Sequence, residues 1–276
     1  MSQARVRLAV LGDPLRYTLS PALHRAGLEA VGMGGESVAL RVSPGDLAAT
    51  LDRLERTGLR GVNLTHPHKE AALALVARAS ATARRARSVN TIGFGPAERW
   101  GESTDGSGFL DFMASVGCQT AGLDVVLLGA GGAARSLALA LLEAGVGGVC
   151  VSAREPGRAA GLVALDPARV RAVAWRSAEE RSALADADVV VNCTPLGSNP
   201  ADEAPLPPGH AGDGAALIDL VYGEAPTRWV QDARQEGRTA WDGLGTLVFQ
   251  ARRSLELWLE RPIPLEPLMT AVGWPR

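Results

Sequence analysis

The chain has 276 residues, of which 46% are hydrophobic and 21% charged, with a net charge of −2. That suits one large globular domain or two smaller ones. It gives no basic field for nucleic acid, and no apolar run approaches the ~20 residues of a membrane span.

Arg5 to Leu11 reads as a first strand rather than a signal segment, and it ends in the turn Gly12-Asp13-Pro14. A helix follows from about Ala22 to Val31, with Ser20 as N-cap and Pro21 at the first helical position. Ser37 to Val42 is a strand, Gly45 to Thr57 a helix opened by Ser43-Pro44, and Arg60 to Leu64 a short third strand. The loop around Lys69 leads into a helix from about His68 to Arg78, then a strand from Val89 to Phe94. This order predicts a mainly parallel sheet with helices on its faces. Glu102 to Gly106 reads as a boundary loop before a helix from about Ser107 to Val116. Beyond it, strands are predicted at 123–128, 148–152, 170–173, 188–192, 215–221 and 238–241. Helices at about 133–144, 156–165, 178–185 and 227–236 make this half a doubly wound fold. The tail from Gly245 to Glu260 is a long amphipathic helix.

Cys118, Cys150 and Cys193 are too widely spaced for a disulfide framework or a metal site. Cys150 and Cys193 read as core thiols, and a reducing cytoplasm is the expected compartment. His66 and His68 read as loop surface, and no metal spacing is present. The six Trp are scattered and read as packing.

Of the 28 cationic residues only Lys69 is a lysine. A chain that uses Arg wherever a cation serves places its one Lys where an ammonium can be tuned to release a proton, which Arg cannot do. Lys69 is therefore the candidate proton-transfer group, against the alternative of a leftover surface charge. The second motif is Gly129-x-Gly131-x-x-Ala134, set between an apolar strand and a helix. The first Gly makes the turn, the second lets backbone approach a pyrophosphate, and the small third residue lets the helix pack on the strand. The helix N-terminus, including Ala130, Gly132 and Ala133, supplies amide donors. After the next strand comes Ala153-Arg154-Glu155-Pro156-Gly157-Arg158. Arg154 and Arg158 favour NADP, because Arg accommodates a ribose phosphate; Glu155 would repel that phosphate if it pointed inward, so NAD stays open.

Gly12-Asp13-Pro14, Ser20-Pro21 with His24, Gly61 to Thr65 with Pro67 and Lys69, Val89-Asn90-Thr91, and Thr104-Asp105-Gly106 with Gly108-Phe109 stand in one order along the chain. Gly129 to Ala134, Asn192 to Gly197, Asp219 to Tyr222 and Gly243 to Gln250 continue it. In these motifs the chain resembles the shikimate dehydrogenase family over essentially its whole length. The resemblance implies NADP-linked reduction of 3-dehydroshikimate to shikimate by two α/β domains. An N-terminal substrate-binding domain, 1–104 completed by 243–276, would be joined to a Rossmann-like NADP domain, 105–242. It implies Lys69 and Asp105 as the catalytic pair, with Asp105 positioning Lys69; by itself Asp105 also reads as a turn residue before Gly106. Thr18 and Ser20 would hold the substrate carboxylate, with Tyr222 near it. Asn63, Thr65, Asn90 and Gln250 would read ring hydroxyls, which suits side chains that both donate and accept. Asn192, Thr194, Leu220 and Gly243 would flank the nicotinamide half of the cofactor. The partners implied are small molecules, with the protein a monomer or homodimer.

Departures from the family pattern fall on specificity. Tyr17-Thr18 stands where His-Ser is usual, Ser103 where Asn is, and Ala153-Arg154-Glu155 where Asn-Arg-Thr is. Ser198 and Thr246 replace usual Met residues near the nicotinamide, and Gly223-Glu224 replaces Asn-Pro after Tyr222. The rival readings are a quinate/shikimate dehydrogenase using NAD or NADP, a regulatory module that binds NADPH or shikimate without useful turnover, and a folate-linked dehydrogenase.

Overall fold

A computed structural model of the chain describes residues 5–15, 17–199 and 202–276. The chain divides into two compact units, Met1–Phe109 with Leu247–Arg276, and Leu110–Thr246.

The first unit is built on a six-stranded sheet. In chain order it contains β1 (Val6–Gly12), α1 (Ser20–Ala30), β2 (Gly35–Arg41), α2 (Leu47–Arg56), β3 (Gly61–Leu64), β4 (Arg78–Ala79), α3 (Ala81–Ala86), β5 (Thr91–Phe94) and β6 (Arg99–Glu102). The sheet order is β2-β1-β3-β5-β6-β4. Strands β1, β2 and β3 are parallel, as the alternation of strand and helix dictates. β5 alone runs against its neighbours β3 and β6, and β4 pairs parallel with β6, so five of the six strands share one direction and the sheet is mainly parallel, as expected. One core cluster includes Leu11, Leu47, Leu51, Val62, Leu64 and Ile92 from this sheet and the helix α2.

Several local expectations fail here for identifiable reasons. Ser20 is not the cap of α1: Leu19 occupies that position, and Ser20 begins the helix with Pro21 next. Instead the Ser20 backbone N–H donates to Thr18 Oγ1 at 3.3 Å. The helix expected from His68 to Arg78 shrinks to a single 3-10 turn, Ala71–Leu75. Val76 turns to extended backbone, and Arg78 and Ala79 pair with Trp100 and Gly101 instead. Ser80 then caps the short α3 by accepting from the Ala83 N–H at 2.9 Å. The β6 strand, missing from the sequence reading, is too short and polar to show a period. The long tail helix is present, and the final helix after it was not foreseen.

The second unit contains β7 (Asp124–Leu128), β8 (Gly148–Ala153), β9 (Val170–Ala174), β10 (Val189–Asn192), β11 (Ala216–Asp219) and β12 (Ala240–Trp241). They form a wholly parallel sheet in the order β12-β11-β10-β7-β8-β9. Val189, Val190 and Val191 are all buried, the continuous apolar run of a strand covered on both faces. The helices, numbered on in chain order, are α4 (Asp105–Ser115), α5 (Gly132–Glu143), α6 (Ala160–Val163), α7 (Ala178–Ala185) and α8 (Arg228–Gln235). The segment expected as one helix over 156–165 is a 3-10 turn, Pro156–Ala159, followed by the one-turn α6. α9 (Leu244–Leu259) and α10 (Leu265–Val272) complete the chain. The unit boundaries fall inside α4 and α9. No helix among the described residues is long and apolar enough to cross a membrane.

In the first unit, α9 lies across the start of α4 at Gly108. A β-carbon there would stand 2.5 Å from the Gln250 backbone nitrogen and 2.6 Å from its Cα. Backbone atoms cannot swing away, so only glycine permits this crossing. Gly108→Ala is expected to destabilise by about 1–3 kcal/mol through overpacking, lowering Tm by a few degrees. An unchanged thermal unfolding curve would contradict the contact.

Candidate active site

The loop after β3 carries Lys69. It is tied down by backbone bonds at both ends: Thr65 N–H to Leu11 O at 2.9 Å, Asp13 N–H to His66 O at 3.0 Å, and Val89 N–H to Lys69 O at 2.8 Å. His68 is buried, not on the surface, and its Nε2 donates to Val42 O at 2.9 Å. Desolvation lowers the His68 pKa, partly opposed by that bond. With the loop fixed, Lys69 Nζ donates to Asp105 Oδ2 at 2.7 Å. Both side chains are largely but not wholly buried, at 19% and 12% exposed, so the pair can be reached by a small molecule.

Asp105 is the first residue of α4, where the helix dipole favours a carboxylate. Its other oxygen, Oδ1, accepts from Asn90 Nδ2 at 2.9 Å. The Asn90 amide cannot be flipped, because its Oδ1 accepts from the Thr104 backbone N–H at 2.7 Å. Asn90 Nδ2 also reaches Thr104 Oγ1 at 2.9 Å and Gln250 Oε1 at 3.2 Å. Lys69, Asp105, Asn90 and Gln250 therefore converge, and Thr65 is half-buried in the same loop. Thr18 Oγ1 and Ser20 Oγ lie 3.3 Å apart.

Asn63 lies next to Asn90 and, like it, is held by protein partners. Its Nδ2 donates to Asn90 O, Thr91 Oγ1 and Ser254 Oγ, each at 3.0 Å, and its Oδ1 faces His24 Nε2 at 2.9 Å. It is 4% exposed, with its amide occupied by protein partners. The carbonyl contact fixes the amide orientation, so His24 Nε2 must carry the proton, and Nδ1 accepts from Ser37 Oγ at 2.8 Å. Trp258 lies edge-on to His24, and Trp258 Nε1 donates to Ile92 O at 2.9 Å. Ser37, His24, Thr91, Thr104 and Ser254 were not singled out for the site. His24 follows the Ser20-Pro21 start by one helical turn, which was the available signal for an inward-facing polar residue.

In the second unit, β7 ends at Gly129, whose φ of +105° needs glycine. Ala130 and Gly131 follow, and α5 starts at Gly132 and Ala133. Gly131 caps the helix without a side chain, and a β-carbon there would meet nothing within 4 Å. Ala134 is fully buried beneath. An uncapped helix N-terminus with open space above it fits a pyrophosphate. At the end of β8, Arg154 is exposed, and Glu155 pairs with Arg158 at 3.3 Å, which offsets the carboxylate charge. Asn192 ends β10 and Thr194 follows it; Leu220 and the half-buried Tyr222 follow β11. Gly243 packs where a β-carbon would stand 2.1 Å from Leu220 O. Cys150 is buried, but Cys193 is only half-buried, unlike the core thiol expected.

The model for the shikimate dehydrogenase substrate binding domain matches residues 10–92. The NADP(+) shikimate dehydrogenase of Moorella thermoacetica is 41% identical over 263 residues, covering 94% of this chain and 89% of that protein. The chain belongs to the shikimate dehydrogenase family. The enzyme of that name from Symbiobacterium thermophilum is 39% identical, covering 96% of this chain and 92% of its own length. Among solved structures, shikimate 5-dehydrogenase from Thermus thermophilus, in complex with NADP(H) and shikimate, has a TM-score of 0.87. It is 34% identical and covers 97% of this chain and 98% of its own. The two-domain α/β fold of shikimate dehydrogenases is thus the fold of this chain.

The His24 network yields a pH test. Complete burial, reinforced by Arg25 and eased by the Asn63 bond, lowers the His24 pKa from 6.5 to about 4. The unfolded chain therefore takes up a proton that the folded one refuses. Stability that is fully present above pH 6.5 is lost as pH falls towards 4, by about 3 kcal/mol in all. In denaturant titrations, the stability gap between wild type and His24→Leu should narrow by about 2–3 kcal/mol from pH 7.5 to pH 4.5. Groups common to both proteins, Asp219 among them, cancel in that difference. A gap independent of pH would contradict a buried neutral imidazole.

Proposed function

We propose that the chain is an NADP-dependent shikimate dehydrogenase, interconverting 3-dehydroshikimate and shikimate. The observation that carries this reading is the Lys69–Asp105 pair, 2.7 Å apart and oriented by Asn90. Family membership supplies the reaction class, and the pair supplies the chemistry it needs.

Reducing a ring ketone to an alcohol requires a proton at the oxygen as the carbon is reduced. NADPH, when bound, supplies the hydride. The Lys69 ammonium donates the proton to the carbonyl oxygen, and in the oxidative direction its neutral amine accepts one. Asp105 aims the ammonium and accepts from a neighbouring ring hydroxyl. Asn90 and Gln250 present amide groups to ring hydroxyls, with Thr65 beside them. Thr18 and Ser20 offer paired hydroxyl donors to a carboxylate. Asn63, which bonds the Asn90 carbonyl, belongs to the same set of polyol-reading amides. In this reading residues 1–104 with the C-terminal segment from 243 hold the substrate, and 105–242 hold NADP. The backbone amides at Gly131 to Ala133 hold the pyrophosphate, and Arg154 takes the ribose phosphate. Leu220 and Gly243 shape the nicotinamide end of the cofactor site. The wide spacing of the three cysteines leads us to expect a reducing cytoplasm.

The test is cofactor reduction by purified protein with shikimate or quinate, each against NADP or NAD. Turnover with shikimate and NADP is expected to dominate. Quinate or NAD turnover of equal efficiency would move the protein to the broader quinate/shikimate class. Tight NADPH binding without turnover would make it a binding module. Lys69→Met is expected to lower kcat by about 10²–10⁴-fold with the fold intact, as for general acid–base groups elsewhere. Lys69→Arg should fail similarly, because it keeps the charge but cannot relay the proton. Near-normal kcat in either folded variant would remove Lys69 from the chemistry.

A further inference from the structure

Asp219 closes β11 with its side chain wholly inaccessible to solvent. It accepts three hydrogen bonds, all from neutral donors. Oδ1 takes the Asn192 side-chain amide at 2.8 Å and the Val221 N–H at 2.9 Å. Oδ2 takes Thr227 Oγ1 at 2.7 Å. Desolvation, with Asp242 nearby, pushes the Asp219 pKa up to about 6 despite those bonds. A buried carboxylate with no cation among its described partners costs stability that an apolar or amide side chain would not. What it contributes in return is direction. A carboxylate only accepts, so it compels Asn192 to point its NH2 towards Asp219 and its carbonyl the other way.

That orientation organises the turn after β10. Asn192 Oδ1 accepts from the Thr194 N–H at 3.0 Å and from Thr194 Oγ1 at 2.6 Å. Asn192 Nδ2 also donates to Leu196 O at 3.1 Å, and Thr194 Oγ1 accepts the Leu196 N–H at 3.2 Å. The Thr194 methyl is thereby set against the dinucleotide turn, 3.0 Å from where a Gly129 β-carbon would be. In a sheet ordered β9-β8-β7-β10-β11-β12, the dinucleotide crosses at the switch point between β7 and β10. The adenosine ribose belongs at the end of β8, so the β10 side receives the nicotinamide end.

We infer that Asp219 is a positioning residue for the nicotinamide half-site, acting through Asn192 to set the Thr194–Leu196 turn. The inference rests on NADP being the ligand of this unit. The test is calorimetric titration of the full chain with three probes: NADP+, 2′-phosphoadenosine-5′-diphosphoribose, which lacks only the nicotinamide, and shikimate. Asp219→Ala should weaken NADP+ by about tenfold, the effect of losing one hydrogen bond to a charged group. The nicotinamide-free probe and shikimate should stay within about twofold, below the worth of one ordinary hydrogen bond. Asp219→Asn should restore NADP+ to within about threefold, since its oxygen still accepts from Asn192 and Val221 and its NH2 can donate to Thr227 Oγ1. Should Asp219→Ala not fold, Thr227→Val removes one donor and should give the same split at about threefold. Equal weakening of both nucleotide probes, or no weakening of either, would overturn the inference and leave the NADP reading intact. Failure of the wild type to bind either nucleotide would instead overturn the NADP reading.

Discussion

The first unit depends on a charge pair that the fold does not need for its own stability. Taking Lys69 and Asp105 largely out of water carries a desolvation cost that works against their attraction. The carboxylate of the pair is held on its other side as well. Asn90 takes the free carboxylate oxygen, Thr104 fixes Asn90, and the start of α4 adds its dipole. The Lys69 carbonyl is bonded by Val89, one residue before Asn90, so lysine loop and amide are referenced to the same strand entrance. Beneath them, Asn63 and His24 form a buried layer in which donors and acceptors alternate without ambiguity.

The second unit uses the same device, an acid that orients an amide. Asp219 turns Asn192, and Asn192 in turn shapes the turn that meets Gly129. In both units a side-chain amide has its two ends distinguished by a partner of fixed polarity: the Thr104 N–H in one, the Asp219 carboxylate in the other. An amide left free to flip would present the wrong sign to a ligand in half of the molecules.

Much of this was legible from residue types. One lysine among 28 cationic residues drew attention to the loop that meets Asp105, and the Gly129 motif with an apolar strand before it marked the tight strand-to-helix turn. The parallel sheet of the second unit follows from its alternating apolar runs. The failures share a cause: they depend on pairing between distant segments. Residues 71–76 have helix-forming composition, but Arg78 and Ala79 are claimed by β6, and the helix is cut to one turn. His68 is polar and lies in a loop, yet Val42 O supplies the partner that lets it be buried. The partners that hold Asn63, Thr91 and Ser254 among them, come from 28 and 191 residues away and leave no local signal in the sequence. Glu155 raised a doubt that its neighbour Arg158 offsets.

The central claim is that Lys69 and Asp105 act as one unit, and a double-mutant cycle tests it most directly. Pre-steady-state rates of shikimate oxidation would be compared for wild type, Lys69→Met, Asp105→Asn and the double variant. If Asp105 works by positioning Lys69, its loss matters little once Lys69 is gone, and the double variant should be about as slow as Lys69→Met alone. Losses that multiply independently would contradict the account and give the two residues separate roles.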